Sequence, residues 1–173
     1  MRSTTRFPVM LLIMTAALLP VAAQQPVEKI GQEGTGDMGR GHQQDMRLIH
    51  SLFAAHLKIT RQVTETENGV ITITESADPE VQVMLRAHAQ AMKRRLDGKL
   101  PIRQWDPLFA ALFENAALIS MEVIPTARGV RVIESSKDLK VASLIRAHAA
   151  SVTEFVKDGA AVMHKLHPIP LPQ

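Results

Sequence analysis

The tetrapeptide Arg86-Ala87-His88-Ala89 returns sixty residues later as Arg146-Ala147-His148-Ala149. At the same offset Ile59 answers Ile119, Val63 answers Val123, Thr66 answers Thr126, and Gly69-Val70 answer Gly129-Val130. Ser76, Asp78 and Val81 meet Ser136, Asp138 and Val141 in the same register. One residue is inserted only before Asp158-Gly159, the counterpart of Asp97-Gly98. Independent drift would not hold register through two turns, so the pattern reads as a duplicated unit; two copies are too few for a solenoid. The expectation is one domain with a pseudo-two-fold axis.

Within the first copy, Ile49, Leu52, Phe53 and His56 share one helical face, which predicts a helix over 45–58. Residues 59–67 and 70–75 are rich in Thr, Val and Ile and flank Asn68-Gly69, a two-residue hairpin signal. Asp78-Pro79-Glu80 then supplies an N-cap, a proline at the first helical position and an acid in the first turn. That helix should run to about Leu96 and stop at Asp97-Gly98. Its apolar stripe is Val81, Leu85, His88, Met92 and Leu96, with His88 in the middle.

The second copy follows a connector punctuated by Pro101. Asp106-Pro107 caps a predicted helix over 107–117, where Leu112-Phe113 occupies the places of Leu52-Phe53 and Ala116 that of His56. A hairpin over 119–134 should turn at Arg128-Gly129, with Pro125 marking its first strand as an edge or a bulge. Ser136 to Asp138 caps the last long helix, whose stripe Val141, Ile145, His148, Val152 and Val156 repeats the earlier spacing. A short helix carrying Met163, His164 and His167 is expected after Gly159, then a polyproline-like tail over 168–173. The fold class is therefore α+β: two αββα repeats, 45–98 and 105–159, with about four antiparallel strands against helices.

Residues 1–23 have the charged, apolar and small-residue order of a secretory signal, with cleavage expected after Ala23 and a periplasmic or secreted destination. The apolar run from Val9 to Leu19 is short of the roughly 20 residues a bilayer span needs, so no membrane attachment is expected after cleavage. Removing 1–23 takes away Arg2 and Arg6, leaving 18 basic against 17 acidic side chains, a balance of +1. With Lys93-Arg94-Arg95 the only basic cluster, nucleic acid is set aside as a partner. The chain has no cysteine, which excludes Cys-ligated zinc, c-type haem attachment and iron–sulfur clusters. Residues 24–44 read as a flexible leader carrying Met38, His42 and Met46, soft and borderline ligands.

The constellation that points to chemistry is His88 with His148, each polar and central on an otherwise apolar stripe. Helices in contact lie roughly 8–10 Å apart, a gap that two inward imidazoles sharing one ion can bridge. His56 and Met92 are the next ligand candidates; His50, His164, His167, Arg86 and Arg146 are secondary. Imidazoles with a thioether suit copper, imidazoles with a carboxylate or water suit zinc, and opposed imidazoles suit a non-covalent haem. The two arginines would clamp a carboxylate or a haem propionate, or simply pair on a solvated helix face. The structural alternative is that the histidines only pack. No phosphate loop, nucleophile elbow or zinc-protease motif is present, so catalysis is not expected, although a His pair acting as a general base stays open.

His50-x5-His56, Asp106-Pro107-Leu108-Phe109, Gly129-Val130 ahead of Ser135-Ser136, Arg146-Ala147-His148-Ala149 and His167-Pro168 together resemble an uncharacterised group of exported bacterial proteins. The resemblance implies export and spans His50 to Pro172; it implies no activity. The expected function is non-catalytic binding of a transition metal, copper first, or of haem, between the pseudo-equivalent helices. The alternative is an interaction module that meets another exported protein or a second copy through its tail and hairpin edges.

Overall fold

Two hairpins make the sheet. In the structure, a computed structural model that describes residues 33–171, β1 (Ile59–Thr66) pairs with β2 (Gly69–Ser76), and β3 (Ser120–Pro125) with β4 (Gly129–Ser135). The inner strands join antiparallel to give the order β1-β2-β4-β3, with Thr72 opposite Val132. Neither turn falls at the expected dipeptide: the loops are 67–68 and 126–128, and each glycine opens the following strand. The reason is close approach. A Cβ on Gly69 would lie 2.0 Å from the Glu134 carbonyl oxygen, and one on Gly129 would lie 2.1 Å from that of Thr74.

Four helices pack against this sheet: α1 (Glu33–Ala54), α2 (Pro79–Asp97), α3 (Pro107–Glu114) and α4 (Leu139–Asp158). The last three begin as the sequence requires. Asp78, Asp106 and Asp138 accept from the backbone amides of Glu80, Leu108 and Lys140 at 2.9, 3.2 and 2.8 Å, filling donors that a helix start leaves open.

The other helix boundaries depart from expectation. Residues 33–44, read as leader, belong to α1, which is tied to α2 where Arg95 Nε donates to Asp45 Oδ2 at 2.6 Å. That helix stops at Ala54 and gives way to a single 3₁₀ turn, His56–Lys58. Helix α3 likewise stops at Glu114, where the Asn115 side-chain amide joins its own backbone N–H on the Ala111 carbonyl, at 2.8 and 3.2 Å. After Gly159 only a 3₁₀ turn to Val162 forms, so Met163, His164 and His167 lie beyond it in irregular chain.

Strand parity divides the sheet into two faces. Val70, Thr72, Thr74, Val130 and Val132 are buried beneath the helices, and their neighbours Ile71, Ile73 and Ile133 are half-buried on the other side. The helices cross over to reach their strands. Helix α2 packs mainly on β4, and α4 mainly on β2 and β1. Two apolar clusters follow: Val70 with Leu108, Val141 and Ile145, and Val130 and Val132 with Val81 and Leu85. At roughly 25 cal/mol per Å² of buried apolar surface, such side chains supply the main stabilisation of a chain without disulfides.

Arg86 and Arg146 fasten the same crossing. The Arg86 guanidinium donates to the carbonyls of Gly129, Thr126 and Ala127 at 3.0–3.1 Å, while Arg146 Nη2 donates to Thr66 and Glu67. Each arginine thus holds the turn of the hairpin that its own helix does not follow. Both guanidinia are engaged with backbone carbonyls at the hairpin turns. Among the described residues no helix is long and apolar enough to cross a membrane, and the expected signal over 1–23 lies outside them.

Candidate ligand-binding cavity

Between the inner face of the sheet and helices α1, α2 and α4 lies a cavity of about 610 Å³. Small-molecule sites are typically concave spaces of about 300–1,000 Å³, mostly apolar with a few placed polar groups. The walls here follow that rule: Met46 and Phe53 come from α1, Leu85 and Met92 from α2, Val152 and Phe155 from α4. Six of the seven histidines, at positions 42, 50, 56, 88, 148 and 164, also line it.

His88 and His148 reach it from the middle of α2 and α4. Burial pushes each imidazole down to about 4; the charge of Arg61 adds to this in both, while a carboxylate, Asp45 for His88 and Asp106 for His148, opposes it. Both rings are therefore neutral at neutral pH, the form that carries a free lone pair. The His148 Nδ1 lies 4.0 Å from Glu134 Oε2, and its ring meets Phe109 edge-on at 5.2 Å between centroids. His88 Nδ1 is buried and has no hydrogen-bond partner. A ligating histidine almost always has its second nitrogen held by a carboxylate, carbonyl or water. By that standard His148, with Glu134 beside it, is the better prepared of the two.

His56 sits lower on the wall, where the 3₁₀ turn after α1 directs its ring onto Gly159. Its Nδ1 donates to the Val156 carbonyl at 3.1 Å, which leaves Nε2 as the acceptor. Only glycine serves beneath it: φ is +58° there, and an added Cβ would stand 2.4 Å from the ring. Met92 is half-buried on the wall. His50 and His164 are exposed at the margin, the latter tilted against Trp105 with ring centroids 6.1 Å apart.

His167 does not line the cavity. Its Nδ1 pairs with the fully buried Asp106 at 2.7 Å, and its amide donates to the same carboxylate at 3.2 Å. Arg103 Nε donates to Asp106 at 3.0 Å, its guanidinium lying 4.1 Å from the Trp105 ring. Burial pushes the Asp106 carboxyl up, but the bonds from His167 and Arg103 prevail and hold it below the ordinary range. This cluster staples the tail to the start of α3.

The floor of the cavity holds what the sequence reading missed. Arg61, Thr72, Thr74 and Glu134 come up from the sheet. Arg61 Nη1 donates to Thr74 Oγ1 at 2.8 Å, and its Nε is buried without a partner. Burial pushes the guanidinium down to about 10 and the Glu134 carboxyl up to about 7, each moderated by the other's charge. The available signal was parity: Arg61 alternates inward with Ile59 and Val63 opposite Ser76, Thr74 and Thr72.

The expected ligands His88, His148, His56 and Met92 thus line one space. Among the described residues, no three of His, Asp and Glu converge to hold a metal ion. Set against protein-family models, curated proteins and solved structures, the chain has no match in any of the three.

Proposed function

We propose that this chain is an exported, non-catalytic binding protein whose cavity receives a haem, with His148 and His88 as iron ligands. The gathering of six histidines around one apolar-walled space of about 610 Å³ carries the reading. Two neutral imidazoles suit an iron that takes axial nitrogen ligands. The unpartnered His88 nitrogen and the carboxylate beside His148 are the polar features such a group would answer. Haem would supply the iron; the chain would supply His148 and His88 to hold it and an apolar enclosure around it. Copper is the second choice. Met46 and Met92 offer thioethers in the same space, but a bare ion would leave most of it unfilled.

We propose further that the two halves descend from one duplicated αββα unit. Thr72 stands opposite Val132, its own counterpart, and Arg86 and Arg146 hold each other's hairpin turns. The binding space then lies between the two copies of one helix.

The test is to purify the mature protein without a His tag and offer it haemin, Cu(I) and Cu(II). Wild type should take up haemin with a shifted Soret band, lost in the His88→Ala, His148→Ala double variant. Stoichiometric copper in place of haemin would assign the ion. If wild type binds neither and the double variant merely loses stability, the histidines pack, and a protein partner or second copy becomes the reading to pursue.

A further inference from the structure

The floor of the cavity carries a guanidinium that no carboxylate among the described residues contacts directly, although the charge of Glu134 acts on it at longer range. Arg61 is in the β1 edge strand and points inward, where its neighbours across the ladder are threonines. One guanidinium nitrogen is engaged by the Thr74 hydroxyl, another is buried without a partner. No carboxylate among the described residues lies within ion-pair distance of it. A buried charge is costly unless paired, and a chain under no functional demand would place an apolar residue there. The second half does so: the place that answers Arg61 is Met121, which lines the same cavity.

We propose that Arg61 and Thr74 form a receptor for one carboxylate, so that the cavity selects molecules with an apolar body and an acid head that reaches the sheet. Guanidinium and carboxylate match in charge and planar geometry, and a charge-assisted bond in a dry setting is about twice as strong as a neutral one. The apolar walls take the body of the ligand, and the arginine fixes which end goes in first. Desolvation of the guanidinium, which lowers its affinity for its proton without removing it at neutral pH, leaves it ready for an anion. This inference rests on the cavity as the binding space proposed above, and not on iron. Two sources share the chemistry: a porphyrin propionate and a long-chain monocarboxylic acid.

Trp105, the only tryptophan, lines the cavity and reports occupancy by its fluorescence. The experiment titrates the mature protein with haemin, haemin dimethyl ester, palmitate and methyl palmitate, in wild type and in Arg61→Met. Arg61→Met copies the residue of the other half, and wild type compared across each acid–ester pair needs no variant at all. The proposal expects the acid of at least one pair to bind wild type at least tenfold more tightly than its ester, with that preference abolished in Arg61→Met. Preference confined to haemin names a propionate, and preference confined to palmitate names a fatty acid. Equal binding of acid and ester by wild type overturns the carboxylate receptor but keeps the cavity as a binding space. Binding of none of the four overturns both.

Discussion

His148 Nδ1 and Glu134 Oε2 lie 4.0 Å apart at the cavity, and burial moves the two groups in opposite senses. His148, like His88, is pushed down to about 4 from 6.5, so the unfolded chain binds a proton there that the folded protein refuses. Glu134 is pushed up to about 7 from 4.5, so the folded protein keeps a proton that the unfolded chain gives up. Between about pH 5 and 6 the unfolded state holds roughly two imidazole protons more and one carboxyl proton fewer, about one more overall. Stability should therefore rise with pH across that interval, by about 1.4 kcal/mol per unit. Glu134→Gln removes the opposing group and should steepen the slope toward two protons. Urea midpoints at a series of pH values measure it, and an unchanged slope in the variant would contradict the assignment.

Asp106 accepts from Arg103, from the His167 ring and from two backbone amides, all while fully buried. Asp106→Ala leaves the His167 ring without its carboxylate and Arg103 with only its bonds to the Met163 and Lys165 carbonyls, and should cost about 3–5 kcal/mol, in the range for breaking one side of a buried pair. Asp106→Asn, which can still accept, should cost clearly less. Equal losses in the two variants would show that geometry, and not charge, holds the tail.

Gly159→Ala meets two penalties, a left-handed φ and the His56 ring 2.4 Å from the new Cβ. A loss of about 1–3 kcal/mol is expected. Adding His56→Ala should return the part due to the clash, so a double-mutant cycle should give a coupling above about 0.5 kcal/mol. Strict additivity would mean that the ring moves aside freely.

Arg86→Ala and Arg146→Ala each leave hairpin-turn carbonyls without a donor. Each should cost about 1–2 kcal/mol from hydrogen bonds to a charged group at partly exposed sites. The two share no partner, so the double variant should show the sum within about 0.5 kcal/mol.

Local chemistry made much of the fold legible. Asp78, Asp106 and Asp138 announced three helix starts, and alternating Thr, Val and Ile announced four strands, because caps and parity act within a few residues. What failed needed partners far along the chain. Gly69 and Gly129 were read as turn residues, yet they are glycines because the inner strands approach them closely. The first half of α1 looks too polar to bury anything, and it meets Arg95 of another helix at His42, 3.5 Å between Nη2 and Nδ1. For the cavity, the apolar stripes located His88, His148, His56 and Met92. Arg61 and Glu134 were invisible because a charged residue in a strand ordinarily points to water, and only the paired register turns them inward. His167 ranks only as a secondary ligand candidate in the sequence, because its partner Asp106 lies far upstream.

The crossing of α2 and α4 over the sheet governs when this protein can fold. Val70, in the first hairpin, has its apolar neighbours on α3 and α4, the last long elements to be made. The β1–β2 hairpin accordingly takes part of its cover from α2, which follows it directly, and the rest only when nearly the whole chain exists. Contacts so distant along the sequence slow the rate-limiting step of folding. The fold is thus closed only when the second half is present to cover the first.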